Sequence, residues 1–266
     1  MKLGLIGCGK MGTALAGGIL EAGLCRPEHL FAYDPVPEAL EEAAKRFGLV
    51  PCPSNVSVVE QSEAVLLCVK PQVFDAVLEQ IADTAGRLLI SVAAGIRIDR
   101  IEEKSGGEHR VIRVMPNTPA LVGRGAAGYA LGSRATVEDA DLAASLLQAT
   151  GIAKRVEESD LDAVTAVSGS GPAYFFLMIE ALVAAGVEQG LDPETAHDLA
   201  VETMAGAAEL LRQTGDAPAT LRENVTSPGG TTFAALESFR ADAFEQIVHR
   251  AVRAARERSI ELGSRN

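Results

Sequence analysis

At 266 residues, 47% hydrophobic and 23% charged, the chain can bury a core of one large or two modest domains, which excludes an intrinsically disordered segment. A net charge of −12 argues against nucleic acid, whose binding needs lysine and arginine to displace counterions from phosphate, and against an anionic membrane surface. The four cysteines (Cys8, Cys25, Cys52, Cys68) lack zinc-site spacing and the N-terminus does not read as a secretory signal, so a cytoplasmic protein with reduced thiols is expected.

The first expected strand, Lys2–Ile6, runs into Gly7-Cys8-Gly9-Lys10-Met11-Gly12 and then a helix of small residues. This is G-x-G-x-x-G in the setting that gives it meaning, between a first strand and a first helix. Gly7 permits the tight turn, Gly9 lets a pyrophosphate approach the backbone, and Gly12 lets helix and strand pack closely. The unpaired N–H groups at the helix start then face the phosphates. The second strand, Leu30–Tyr33, ends at Asp34, about 20 residues beyond the loop, where a carboxylate accepts hydrogen bonds from the adenosine ribose. Such a carboxylate repels an added 2′-phosphate, and Pro35, Val36 and Pro37 bring no arginine, so these residues alone lean towards NADH.

Further strands are expected at Ala64–Val69, Leu88–Ala93, Val111–Met115, Ala126–Leu131 and Ile152–Val156, with helical segments such as Pro37–Phe47 and Val73–Ala82 between some of them. Alternation of this kind means crossover connections, and so an α/β, Rossmann-type, doubly wound and mostly parallel sheet. Ligands lie at the carboxyl ends of such strands. Three small-residue turns sit there: Val69-Lys70-Pro71, Ala93-Ala94-Gly95, and Met115–Pro119, where Asn117 or Thr118 could bond a carboxamide. Lys70 suits three roles: a catalytic cation, a phosphate ligand or a plain strand-end residue.

After Asp160 the strand signal stops. Ala173–Gly190, Pro193–Thr214 and Ala241–Leu262 carry apolar residues three or four apart, an all-α C-terminal domain. The expected boundaries are 1–157 for the dinucleotide-binding domain and 158–266 for the helical domain. The apolar run Ala173–Val187 falls short of the ~20 residues that cross a bilayer and reads as a buried or subunit-interface helix. Ser168–Tyr174 suits either close contact with a subunit or substrate, or a capped helix start. Ser227-Pro228-Gly229-Gly230-Thr231-Thr232 precedes another helix; glycines there leave N–H groups pointing outward as an anion nest, with a plain N-cap as the alternative. An acidic protein must hold an anionic substrate by local dipoles of this sort. The four histidines are scattered without ligand spacing, and no metal is expected.

In this order the islands Gly7–Gly12, Val69–Pro71, Ala93–Gly95, Arg113–Pro119, Ser168–Tyr174 and Asn224–Thr232 resemble the pyrroline-5-carboxylate reductases almost end to end. Gly-Gly-Thr-Thr entering a helix is the most specific. The resemblance implies reduction of a small cyclic imine acid, 1-pyrroline-5-carboxylate, to L-proline by NADPH or NADH. It implies cofactor positions at the Gly7–Gly12 loop (Cys8, Gly9, Lys10 and Met11 included), Asp34, Asn55, Val69, Lys70, Pro71, Ala93, Ala94 and Gly95; Ile6, which leads into the loop, and Asn117, at its strand end, join them from their positions alone. Substrate positions are then Glu158, Asn224, Thr231 and Thr232, with Thr232 near the imine nitrogen and so the catalytic candidate; Gly230 joins them as part of the nest. A homodimer with interlocked helical domains, or a decamer of five dimers with shared active sites, is implied as well. Asp34 departs from the small polar residue that NADPH-using members often carry.

Two rival readings share the glycine loop. A β-hydroxyacid dehydrogenase needs an acid–base lysine in its helical domain, and no lysine follows Lys154; arginine cannot deprotonate to replace it. A sensor that holds NAD(H) without turnover would leave the threonine-flanked nest without a purpose.

Overall fold

The computed structural model describes residues 1–265. The strands and helices run β1 (Leu3–Ile6), α1 (Lys10–Glu21), β2 (Leu30–Tyr33), α2 (Pro37–Phe47), β3 (Val50–Pro51), α3 (Asn55–Gln61), β4 (Ala64–Leu67), α4 (Pro71–Ile81), β5 (Leu88–Ser91), α5 (Ile98–Lys104) and β6 (Arg110–Met115). Then come β7 (Gly125–Leu131), α6 (Val137–Gln148), β8 (Gly151–Arg155), α7 (Leu161–Val164), α8 (Gly171–Glu188), α9 (Pro193–Thr214), α10 (Pro218–Asn224), α11 (Thr231–Ala241) and α12 (Phe244–Arg265). They divide into two compact units: Met1–Ser170 together with the chain from Ala255 onward, and Gly171–Ala254.

The first unit holds one eight-stranded sheet in the order β3-β2-β1-β4-β5-β6-β7-β8. Successive residues of a strand face opposite sides, so a sheet covered on both sides needs apolar residues throughout. Leu3, Leu5, Leu66, Leu88 and Ile90 join Leu15, Ile19 and Leu146 of α1 and α6 in one core. Ile6, Val65, Leu67 and Leu89 join Val58, Phe74, Leu78 and Ile101 of α3, α4 and α5 in the other. This is why the strands are legible as continuous apolar runs. All neighbouring pairs are parallel except β6 with β7, which the alternation did not single out. Residues 116–124 are too few for a helical crossover, so β7 must turn back antiparallel.

His109 is sealed at 0% exposure, and its Nδ1 lies 3.1 Å from the Arg87 amide nitrogen. That N–H donates, so Nδ1 must accept, and Nε2 carries the hydrogen towards Ile81 O at 3.3 Å. Burial pushes its pKa below the ordinary 6.5. The folded state therefore favours neutral His109, while the unfolded state takes up a proton more readily. The stability this confers is complete above pH 6.5 and is lost as pH falls from there through the folded pKa. Urea midpoints should drop between pH 7.5 and about 5.5, and His109→Gln should flatten that slope; the same slope in both proteins would refute this.

In the second unit, α9 starts as its sequence indicates: Asp192 Oδ1 accepts from Thr195 N at 3.0 Å, with Pro193 in the first turn. The helix expected from Ala241 instead begins at Phe244, because Ala243 takes φ 53° and breaks α11 from α12. The Phe239 and Phe244 rings, 5.2 Å apart, pack across that break. The apolar helical stretch is also longer than the run Ala173–Val187. Helical turns extend from Glu158 to Glu188, 31 residues, and by length and composition such a span could cross a membrane. A π-helical turn, Thr165–Gly169, lies within it. Phe175, Phe176 and Leu177 of α8 are each about 60% exposed, so within one chain their apolar faces lack cover.

Candidate active site

The classic-order half of the sheet, 3-2-1-4-5-6, reverses between β1 and β4, and the crevice beyond those two strand ends is where a dinucleotide lies in this architecture. Gly7 takes φ 99°, and a Cβ on it would sit 2.7 Å from Cys68 O. A Cβ on Gly12 would sit 2.2 Å from Gly7 O. Gly9 is different: no atom lies within 4 Å of where its Cβ would be. Two glycines are thus demanded by the fold, and the third leaves open space. Gly9 caps α1 with no side-chain hydrogen bond, and Thr13 N is the first to reach back, to Gly9 O at 2.9 Å. The N–H groups of Lys10, Met11 and Gly12 precede that bond and carry the positive end of the helix dipole.

The loop is tied to β2 by Gly7 N to Tyr33 O at 2.9 Å and by Cys8 N to Asp34 Oδ2 at 2.7 Å. Asp34 Oδ1 also accepts from Val36 N at 2.9 Å. The chemistry of this set fits a dinucleotide: outward N–H groups for phosphates, bare space over Gly9, and a carboxylate beside the loop. The Cys8 thiol is pushed up to about 12 by burial and then by Asp34; Cys68 is pushed up to about 12 by burial and then by Cys8. Both stay protonated at neutral pH, so neither is a nucleophile.

The remaining cofactor candidates of this unit gather at neighbouring strand ends. Ile6 ends β1 and is buried. Val69, Lys70 and Pro71 lead from β4 into α4, with Lys70 exposed as its N-cap. Ala93 N bonds Ser91 Oγ at 3.3 Å, and Gly95 turns with φ 75°. Asn55 is 5% exposed; its Nδ2 donates to Gln80 Oε1 at 2.8 Å, while its buried Oδ1 has no partner among the described residues. An acceptor in that state invites a donor from a bound molecule. Asn117, in contrast, spends both amide atoms on the fold: Nδ2 donates to Ser168 O at 3.0 Å and Oδ1 accepts from Ala126 N at 2.8 Å.

A cleft of about 380 Å³ opens beside Pro71, Ala94 and Gly95, and its far wall is Ala255, Arg258 and Leu262 of α12. Those C-terminal residues were not anticipated. Ser259 Oγ donates to Asp162 Oδ1 at 2.6 Å, anchoring α12 over 97 positions of sequence, and no local pattern announces such a contact.

Glu158 sits in this unit as well. Its Oε1 accepts from Arg113 Nη1 at 2.9 Å and from Ile98 N at 2.8 Å, and Arg97 Nη2 faces its Oε2 at 3.9 Å. Arg113 is 8% exposed among Val111, Ile112, Val114 and Met115, on a strand whose first residue, Arg110, reaches out to Asp139 at 2.8 Å. An arginine inside an apolar strand was the available signal, since a buried cation requires a partner.

The other substrate candidates lie in the second unit. Asn224 ends α10. Gly229 takes φ 68°, and a Cβ on Gly230 would meet Ser227 Oγ within 2.4 Å, below any normal contact. Gly230 caps α11 without a side-chain bond, and Ala234 N is the first to close a helical bond, onto Gly230 O at 3.1 Å. Gly230 N donates to Ser227 O at 3.0 Å, so the N–H groups left without a helical acceptor are those of Thr231, Thr232 and Phe233, with the Thr231 and Thr232 hydroxyls on the same turn.

Residues 158–262 match the family model described as pyrroline-5-carboxylate reductase dimerisation, and residues 2–95 match NADP oxidoreductase, coenzyme F420-dependent. The dimerisation match covers α8 with its exposed Phe175, Phe176 and Leu177, and it supports homo-oligomerisation of the chain. A pyrroline-5-carboxylate reductase of Methanosarcina acetivorans is 40% identical over 266 residues, covering 99% of this chain and 98% of its own. One from Pseudomonas aeruginosa is 41% identical over 264 residues, covering 98% and 96%. Among solved structures, a pyrroline-5-carboxylate reductase from Coxiella burnetii superposes with a TM-score of 0.94 at 32% identity, covering 98% of both chains. A pyrroline carboxylate reductase from Plasmodium falciparum with NADP bound gives 0.85 at 35% identity, covering 99% and 98%. With this identity along almost its whole length, the chain belongs to the pyrroline-5-carboxylate reductase family.

Proposed function

We propose that this chain reduces 1-pyrroline-5-carboxylate to L-proline, the last step of proline biosynthesis, with NADPH or NADH as reductant. The observation that carries the reading is the pairing, in one chain, of a dinucleotide glycine loop with an uncapped Gly229–Gly230 nest that opens into Thr231 and Thr232. The nicotinamide, when bound, supplies the hydride that adds to the C=N carbon. The chain's residues hold, orient and exclude. The N–H groups of Lys10, Met11 and Gly12 neutralise pyrophosphate charge, and Asp34 and Asn55 take the adenosine side. Val69 to Pro71 and Ala93 to Gly95 border the ring. The Thr231 and Thr232 amides grip the carboxylate beside Gly230, whose own N–H is held by Ser227 O at 3.0 Å and shapes the turn, with Asn224 and Glu158 on the substrate side. Thr232 orients the ring nitrogen, which takes a proton, relayed from water, as the C=N π bond opens. An imine is already electrophilic, so positioning supplies most of the acceleration.

By role, residues 1–157 serve the dinucleotide and 158–266 the substrate, although 158–170 and the chain from Ala255 pack with the first compact unit; the chain forms a homodimer, five of which form a decamer. The −12 charge and four free cysteines support a cytoplasmic setting.

Adding 1-pyrroline-5-carboxylate to enzyme and NADH or NADPH should bleach the reduced-nicotinamide absorbance, with one proline formed per cofactor oxidised. Cofactor binding without consumption would support a sensor instead. Thr232→Ala should lower kcat by ~10- to 1000-fold, or ~1.4–4 kcal/mol of barrier, without moving Tm; an unchanged kcat removes Thr232 from the mechanism.

A further inference from the structure

Resting on the dinucleotide reading above, we infer that Asp34 makes this chain an NADH-preferring reductase by holding a fixed negative charge where a 2′-phosphate would lie. The position follows from the fold: Asp34 directly ends β2, and its carboxylate receives the N–H of Cys8 in the glycine loop at 2.7 Å. Acids at this place accept hydrogen bonds from free ribose hydroxyls. What makes the charge decisive is that it cannot withdraw. One oxygen is held by Cys8 N and the other by Val36 N at 2.9 Å. The backbone on either side is stiff as well, since Pro35 and Pro37 each fix their own φ and restrict the residue before them. Val36, held at φ −92° and ψ 105°, shows that restriction.

Among the described residues Asp34 forms no ion pair, and the first turn of α2 adds Glu38. Lys10 and Arg46 border a hollow of about 210 Å³ that Cys8 and Gly9 of the loop also line; Glu42 is in its wall and Asp34 is not. Arg46 is stacked over the Phe47 ring, 4.8 Å from its centroid. A 2′-phosphate would bring up to two negative charges against a pinned third. A ribose hydroxyl would instead donate to a carboxylate oxygen that still has a lone pair free.

The test uses binding, with probes that cannot be reduced. ADP-ribose and 2′-phospho-ADP-ribose are titrated calorimetrically into the full chain. ADP-ribose should bind more tightly by ~10- to 100-fold, with the gap narrowing as salt is raised. Asp34→Asn keeps an acceptor for the loop and removes the charge; it should shrink the ratio at least ~5-fold, mainly by improving the phosphorylated probe. Asp34→Ser should carry the shift further, and Asn suffices if Ser does not fold. Equal affinities in the unaltered chain, a ratio that Asp34→Asn leaves unchanged, or a larger change from Arg46→Ala would each overturn the inference while the reductase assignment stands. Binding of neither probe would remove the dinucleotide site itself, and this inference with it.

Discussion

Gly12→Ala should cripple dinucleotide binding and lower stability together, whereas Gly9→Ala should cripple binding alone. The added methyl at Gly12 would lie 2.2 Å from Gly7 O and 3.2 Å from both Cys68 Cβ and Leu5 Cδ1. The nearest atom is backbone, and the Leu5 methyl belongs to a fully buried side chain with nowhere to swing. Gly7 has no room to yield, being itself at φ 99° against Cys68 O. Relief must come from moving α1 off β1, which costs about 1–3 kcal/mol, as overpacking does. The same movement carries the N–H groups of Lys10, Met11 and Gly12 off target, and misplacement near 1 Å costs ~100-fold. Gly9 has φ −73° and empty space at its Cβ position. A methyl there strains nothing in the protein but occupies the approach to the loop. Thermal melts with calorimetric titration of NADH separate the two cases. A Gly12→Ala protein with unchanged Tm and affinity would show that helix and strand can part without consequence. A Gly9→Ala protein that binds normally would show that phosphate does not pass over the loop.

Removing Arg113 should cost about 3–5 kcal/mol of folding stability, the second large effect. Its guanidinium side chain is 9% exposed and the Glu158 side chain 22%. Arg113→Met fills similar volume yet strands Glu158 with only Ile98 N and a distant Arg97, leaving a half-buried charge uncompensated. Glu158→Gln keeps an acceptor for Ile98 N and strands the guanidinium instead. The double variant Arg113→Met with Glu158→Gln should be more stable than the two losses summed, because each single change exposes the desolvation of the other partner. Strict additivity in urea unfolding would mean the pair is solvated. Steady-state kinetics on Glu158→Gln adds a second reading: a KM for the imine that rises beyond what the folded fraction explains supports the substrate role, and an unchanged KM leaves Glu158 a purely structural anchor.

The parts of the fold legible beforehand share one physical cause. β1, β2, β4, β5 and β6 are covered on both faces, so the residues between their turns are mostly apolar or small; the charged exceptions, Arg110 and Arg113 of β6, each mark an ion pair. β3 was not legible because it has two residues, one of them Pro51, which a sheet edge tolerates and a central strand does not. α3 hides for a related reason: Val56, Val58 and Val59 are poor helix formers, and the element is declared only by Ser54 Oγ capping Ser57 N at 3.2 Å. α6 carries a readable start in the reciprocal bonds of Thr136 and Asp139, a capping box, but its alanines blur the period.

By itself the sequence determined the glycine loop, the acid at position 34 and the Gly-Gly-Thr-Thr turn. Each of these is local chemistry: a backbone that must pass through left-handed φ or approach another atom closely selects glycine within a few residues, whatever lies elsewhere. Only the tertiary structure decided that Asp34 is pinned by Cys8 and Val36, that Glu158 answers Arg113 across 45 positions, and that Arg258 and Leu262 wall a cleft beside Gly95. Those are partnerships between segments distant in the chain. A hydrogen bond or ion pair leaves no trace in the spacing of either partner's neighbours, so folding had to bring them together before they could be read.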